Sequence, residues 1–238
     1  MTAFSRRVAA FVTLAAFAIV LVGCGDSEAD QRKAFIKFLQ DINHRAGVHF
    51  LKPTDEDRVS FGDYYHHYEI ITVHNTSMGK TSGAFNARAS HITSGRNAQS
   101  IEDVVNRRDA MASLKDEVGK LQVEIDQRLA EVKNQRAALK QPDDLKAVYD
   151  VTFDRLVIKP TQAVKNQMKA LEDGLAASVQ VADYVRSHPG KVTVKGQQIL
   201  ATDPKTLSEL KVLMDARTAT ARHLEEAGRQ LQRVLQGS

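Results

Sequence analysis

Val104, Met111, Val118, Ile125, Val132 and Leu139 recur every seven residues. A strand alternates every two residues, so this spacing admits only a long helix with one apolar side. Ser100 is a suitable N-cap, and Glu102 and Asp103 suit the positive end of the first turn. The predicted helix runs from Ser100 to Gln141, and forty residues would span about 60 Å. Leu114 and Leu121 add a second apolar column. That column then meets Arg128 and Gln135, with Leu129 beside it. A two-stranded coiled coil does not place such residues on its seam. A helix packed in a bundle, its buried face drifting as it turns, accommodates them.

The rest of the chain can supply partners for this helix. Gln31 to His44 reads as amphipathic, with Phe35, Phe38, Leu39 and Ile42 on one side, Asp26 or Ser27 as cap and Gly47 beyond its end. Pro53 and Thr54 lie in a connection over 47–60, where Thr54 before Asp55 and Glu56 suits one short helical turn. A second helix is expected from Phe61 to about His74, with Tyr64, Tyr68 and Ile71 inward. Residues 75–100 are rich in Ser, Thr, Asn and Gly and are expected to be irregular and mobile, with a short helix over 84–92. Gln141-Pro142-Asp143-Asp144 breaks the long helix, and Leu145, Val148, Val151 or Thr152, and Leu156 mark the next one. Lys159-Pro160 predicts a turn or kink before a helix over 161–187, which His188-Pro189-Gly190 stops. Two short strands around Lys195-Gly196 form a hairpin near residues 191–201, and such a hairpin is marginal unless it rests on other elements. Asp203-Pro204 opens a last helix carrying Leu207, Leu210, Met214, Ala221, Leu224, Leu231 and Leu235. The expected fold is mainly α: an antiparallel helical bundle with long helices and one small β-hairpin.

The N-terminus carries a different signal. Arg6 and Arg7 precede an apolar run from Val8 to Gly23 with no acid before it, which ends in Leu21-Val22-Gly23-Cys24. A cationic start, a short apolar core and small residues before a cut describe a secretory signal. The run is about 16 residues, short of the roughly 20 of a membrane span. Leu21, Val22 and Gly23 read as a lipobox, and Cys24 as the lipid attachment site whose thiol takes the diacylglycerol. The expected organisation is a signal peptide over 1–23, a lipidated tether over 24–30 and a single helical domain over 31–238. Cys24 is the one cysteine in 238 residues, which excludes an intramolecular disulfide and a CxxC redox site. Gly25, rather than Asp, follows Cys24. By the enterobacterial sorting rule this favours the outer over the inner membrane.

Loss of residues 1–23 removes Arg6, Arg7 and no acid, so the formal charge falls from +4 to +2. A nearly balanced chain gives no reason to expect nucleic-acid binding. The absence of Trp, with abundant Ala, Leu, Lys, Gln and Glu, favours helices.

Three blocks carry a family resemblance: Asp30-Gln31-Arg32-Lys33-Ala34-Phe35-Ile36 with Phe38-Leu39-Gln40; Ala138-Leu139-Lys140-Gln141 with Asp143-Asp144-Leu145-Lys146, Val148, Asp150 and Phe153; and Asp183-Tyr184 before the strand pair. Together they resemble the YiaF-like lipoproteins, grouped as domain of unknown function 3053. The resemblance covers most of the mature chain and is weakest across 45–100. It implies a small, mainly helical envelope lipoprotein and supplies no reaction or catalytic residues.

Six of the eight histidines, His44, His49, His66, His67, His74 and His91, fall between residues 44 and 91. His67 and His74, with Asp63 and a histidine from the neighbouring helix, are the candidate metal ligands. Residues seven apart on a helix lie about 10 Å apart along its axis, so solvated or packed histidines are the simpler reading and no metal site is assigned. Gly79-Lys80-Thr81 resembles the end of a phosphate-binding loop, but His74 stands where the motif needs its first glycine. No serine has a nucleophile-elbow context. Tyr64, Tyr65 and Tyr68 suit a core and its rim. No catalytic residue, catalytic activity or cofactor is expected. The reading is a lipid-anchored envelope protein facing the periplasm, with a structural or protein-interaction role. Its partners are the membrane, through the lipid, and an envelope protein. The alternative is a periplasmic ligand- or metal-binding module using the His-rich region 44–91.

Overall fold

A computed structural model describes residues 27–93 and 100–237. Its elements are α1 (Glu28–Asn43), α2 (Asp55–Phe61), α3 (Tyr65–Thr93), α4 (Ile101–Asn106), α5 (Arg108–Ala138), α6 (Asp143–Phe153), α7 (Lys159–Ser187), β1 (Val192–Lys195), β2 (Gln198–Ala201) and α8 (Pro204–Gln236). A 3₁₀ turn over Gly62–Tyr64 leads into α3, and a π-helical turn over Asp154–Ile158 joins α6 to α7.

The long helices alternate in direction, and cross-helix pairs fix their register. Arg108 grips Asp183 through two hydrogen bonds, Nε at 2.7 Å and Nη2 at 3.1 Å. Further along, Gln122 donates to Glu172 at 3.2 Å, and Lys165 pairs with Asp126. As α5 numbers rise, α7 numbers fall, so the two helices are antiparallel. Arg128 pairs with Ser77, and Leu121 lies beside Phe85, which makes α3 antiparallel to α5. Tyr184 donates to Glu209 at 2.7 Å near one end of α7, while Gln167 faces Gly228 near the other, so α8 also runs against α7.

Two apolar clusters form the core. One joins Phe35, Leu39 and Ile42 of α1 to Tyr68, Ile71, Tyr149, Phe153 and Leu156. The other follows the predicted seven-residue stripe, where Val104, Met111, Leu114, Val118, Leu121 and Ile125 meet Met168, Leu175 and Ala182. Ala163, Ala170 and Ala177 of α7 are buried at seven-residue spacing on a second face of that helix. The hairpin is antiparallel, with Val192 opposite Ala201 and Lys195 opposite Gln198. Its tip rests on α4: the Gly196 amide donates to Glu102 Oε2 at 2.9 Å, and the Glu102 amide donates to the Gly196 carbonyl at 3.2 Å.

Several expectations require correction. The segment expected to be irregular from residue 75 is helical through Thr93 as part of α3; residues 94–99 lie outside the described residues. Its polar groups turn inward to the helix: Asn75 donates to the Ile71 carbonyl at 2.8 Å and Thr76 to the Thr72 carbonyl at 2.9 Å. Met78 and Phe85 bury themselves against the second cluster. Burial of these side chains outweighs the low helix propensity of the intervening residues. The predicted helix from Ser100 is interrupted at Arg107, where the chain leaves α4 and enters α5. Lys159-Pro160 does not make a turn. Pro160 would clash with the carbonyl four residues earlier. The π turn instead lets the Lys159 amide reach the Asp154 carbonyl, and Pro160 sits in the first turn of α7. Residues 28–30, expected to belong to a tether over 24–30, form the first turn of α1, and residues 24–26 lie outside the described residues.

The connection after α1 meets the end of α8 at two glycines. Gly47 and Gly237 have φ of 70° and 76°, in the left-handed region. A Cβ on Gly47 would sit 2.4 Å from the Leu235 carbonyl oxygen, and one on Gly237 would sit 1.9 Å from the Gly47 nitrogen. The Val48 amide donates to the Leu235 carbonyl at 2.9 Å across the same contact. Arg155 Nε donates to the Gly47 carbonyl at 3.2 Å. Gly47→Ala is expected to lower stability by more than about 1 kcal/mol, from the left-handed backbone alone. Gly174→Ala, where a Cβ meets nothing within 4 Å, is expected to raise it by about 0.5–1 kcal/mol. Urea unfolding midpoints at constant slope check both signs.

Candidate functional site

Cys24, Leu21, Val22 and Gly23, together with the signal segment 1–23, lie outside the described residues. The described body begins where the Ser27 side chain caps α1, accepting from the Asp30 amide at 3.3 Å. Glu28 and Asp30 stand in the first turn, where acids favour the helix dipole. What surrounds this start is therefore what lies nearest the predicted lipid site in sequence.

That surround is aromatic. The Tyr64 hydroxyl donates to Glu28, and Arg32 pairs with Asp144 at 3.5 Å. Between them sits His67, its ring centre 6.4 Å from Phe35, 5.4 Å from Tyr64 and 6.3 Å from Tyr149. Three elements thus supply the cage: α1, the 3₁₀ turn and α6. The Gln141 side-chain amide donates to His67 Nδ1 at 3.0 Å, which leaves the ring hydrogen on Nε2. The Tyr149 hydroxyl donates to the His67 carbonyl at 2.7 Å. Burial lowers the His67 pKa from its ordinary value, and the neighbouring His66 adds to the effect. Burial also raises the Tyr64 pKa to about 12, helped by its bond to Glu28. The cage therefore holds a neutral imidazole between neutral phenols, an arrangement that fixes position.

His66 and His74 do not converge on His67. His74 is 6% exposed and its Nε2 lies 3.2 Å from Thr161 Oγ1 at the start of α7. Burial lowers its pKa, with Arg128 contributing. His66 is turned outward to Glu69 at 2.7 Å. Among the described residues no group of three His, Cys, Asp or Glu could hold a metal ion. The three tyrosines also separate. Tyr68 is buried and donates to the Leu51 carbonyl at 3.0 Å, while Tyr65 lies under the Arg58 guanidinium at 5.1 Å. Gly79-Lys80-Thr81 stands in the middle of α3, so its amides serve the helix rather than a phosphate loop.

Tyr149 and Thr161 were not singled out from the sequence, and Gln141 was read there only as the end of a helix and part of a family block. Tyr149 follows Leu145 by four residues on α6, a spacing that already placed it on the buried side. Gln141 and Thr161 gave no such signal, since each acts through a histidine distant in the chain.

Both lowered histidines contribute to stability in the same direction. In the unfolded chain they bind a proton below about pH 6.5, whereas the folded chain resists protonation until a lower pH. Their contribution is present above pH 6.5 and is lost as pH falls through the folded-state values. Unfolding free energy is expected to decline between pH 7.5 and 5. His67→Gln and His74→Gln should each flatten that slope, as measured by urea unfolding at a series of pH values.

A family model described as a protein of unknown function (DUF3053) matches residues 11–233. Among curated proteins, the uncharacterized protein YiaF of Escherichia coli K12 is 28% identical over 207 residues, covering 86% of each chain. The YiaF proteins of Escherichia coli O157:H7 and Shigella flexneri match to the same extent. No solved structure matches the chain.

Proposed function

The chain belongs to the DUF3053 family, and on that premise we propose that it is a lipid-anchored protein of the bacterial cell envelope with a structural or protein-interaction role and no catalytic activity. The observation that carries the reading is the order of the N-terminal residues: Arg6-Arg7, the apolar run from Val8, and Leu21-Val22-Gly23-Cys24. In this reading residues 1–23 are a signal peptide. Cys24 becomes the first residue and takes the acyl groups, palmitate among them. Each buried lipid methylene contributes about 0.8 kcal/mol, and two or more chains give stable attachment. The body faces the periplasm, and Gly25 after Cys24 favours the outer membrane.

The fold supports this division of labour. Among the described residues no helix is long and apolar enough to cross a membrane. The reading therefore assigns membrane attachment to what precedes Ser27. With α1 capped at Ser27, only Gly25 and Asp26 separate Cys24 from the folded body, so the body stands close to the leaflet. From there α5, with 31 residues, and α8, with 33, each reach about 45–50 Å. Rigid rods of that length suit a protein that spaces or contacts envelope components.

The test is membrane fractionation of the intact protein beside Cys24→Ala, with mass spectrometry of the mature N-terminus. The expected result is an acylated Cys24 at the N-terminus of the wild type, and a variant that keeps residues 1–23 and carries no lipid. An unmodified Cys24 behind an intact residue 1–23 segment would refute the anchor.

A further inference from the structure

An uncharged groove opens between α3 and α8. Its floor is the first third of α7, where Pro160, Val164 and Met168 run beneath it for about 12 Å. Met78 forms one wall and Leu231 and Leu235 the other, while Val48 and Phe50 close one end. Its volume is about 320 Å³, at the lower end of the roughly 300–1,000 Å³ typical of small-ligand sites. No Asp, Glu, Lys, Arg or His is among the described lining residues, although acids, Lys and Arg make up 26% of the chain. The polar groups present are neutral: Asn75, Ser82, Thr161 and Gln167. At the mouth, Phe50 and Leu235 remain 41% and 44% exposed, high values for large apolar side chains.

Gly79 is the second observation. It lies within α3 on the groove wall, at a helical position where glycine costs about 0.5–1 kcal/mol against alanine. A Cβ there meets nothing within 4 Å, so packing does not require glycine. The visible effect of the missing side chain is the open space itself.

We propose that this groove binds a single acyl chain with an uncharged polar head, of the monoacylglycerol class. The apolar floor and Met78 take the chain. Met side chains suit such a site because they adapt to irregular apolar shapes. A free fatty acid would bring a carboxylate to a site with no cation among its described lining residues. A phosphate-bearing head would meet the same lack. A glycerol head instead finds neutral donors and acceptors in Asn75, Ser82 and Gln167. The site is independent of the anchor at Cys24 and of the caged His67.

The chain contains five methionines, and two, Met78 and Met168, line the groove. The intact chain, labelled with carbon-13 at its methionine methyl groups, is titrated with monolauroylglycerol below its micelle concentration. The expected result is saturable shifts at Met78 and Met168, with Met111 and Met214 unmoved. Lauric acid is expected to bind at least tenfold more weakly at a pH where it is ionised. Gly79→Leu should fill the groove and weaken binding at least tenfold while its thermal midpoint equals or exceeds that of the wild type. Gly79→Ala should fall between the two. Shifts spread evenly over all the methionines, equal binding by a stable Gly79→Leu variant, or equal affinity for ionised lauric acid would each overturn the proposal. Shifts at Met78 and Met168 that depend on protein concentration without added lipid would assign the groove to a second copy of the chain and overturn it as well.

Discussion

The fold depends on α7 being buried on two faces at once. Met168, Leu175 and Ala182 join the cluster shared with α5, while the buried alanines at 163, 170 and 177 lie on the side of α7 from which Gln167 and Tyr184 reach α8. A single rod thus sets the position of the neighbours on both sides. The Arg108–Asp183 pair fixes its register against α5 at 2.7 Å. Such an exposed pair contributes little to stability. Its value is in discriminating one alignment from a slip of a turn.

That rod is longer than its helical segments suggest. Because the π turn over Asp154–Ile158 absorbs Pro160, α6 and α7 continue one another. The same chain path therefore serves both apolar clusters, with Tyr149, Phe153 and Leu156 in one and Met168 onwards in the other. Both clusters are thus carried on one stiff spine, with α1 packed on α6 and the hairpin tip on α4.

Periodic features were legible in the sequence. The seven-residue stripe predicted the side of α5 that is buried, and Phe35, Leu39 and Ile42 predicted that of α1. Capping was legible too: Thr54 and Asp57 form a reciprocal capping box, and Asp203 caps α8. The misses have a common physical origin. Across 75–93 local propensity argued against a helix, yet Met78 and Phe85 are held by a partner distant in the chain. Pro160 argued for a break, and a five-residue π turn removed the clash. The His67 cage needed Gln141 and Tyr149, whose proximity no local pattern encodes. The groove was invisible for the same reason, since it is the space left between helices rather than a property of any one of them.

The contact between Gly47 and Gly237 has a consequence for how the chain is built. It joins residues near the start of the body to the last turn of the last helix, across almost the whole described length. Contacts of such separation close late, because the intervening chain must be ordered first. During synthesis the connection after α1 emerges early, yet its seat on α8 does not exist until Leu235 and Gly237 follow. The nascent chain therefore holds the segment from Gly47 to Phe50 without this seat, while α1 already meets Tyr149 and Leu156.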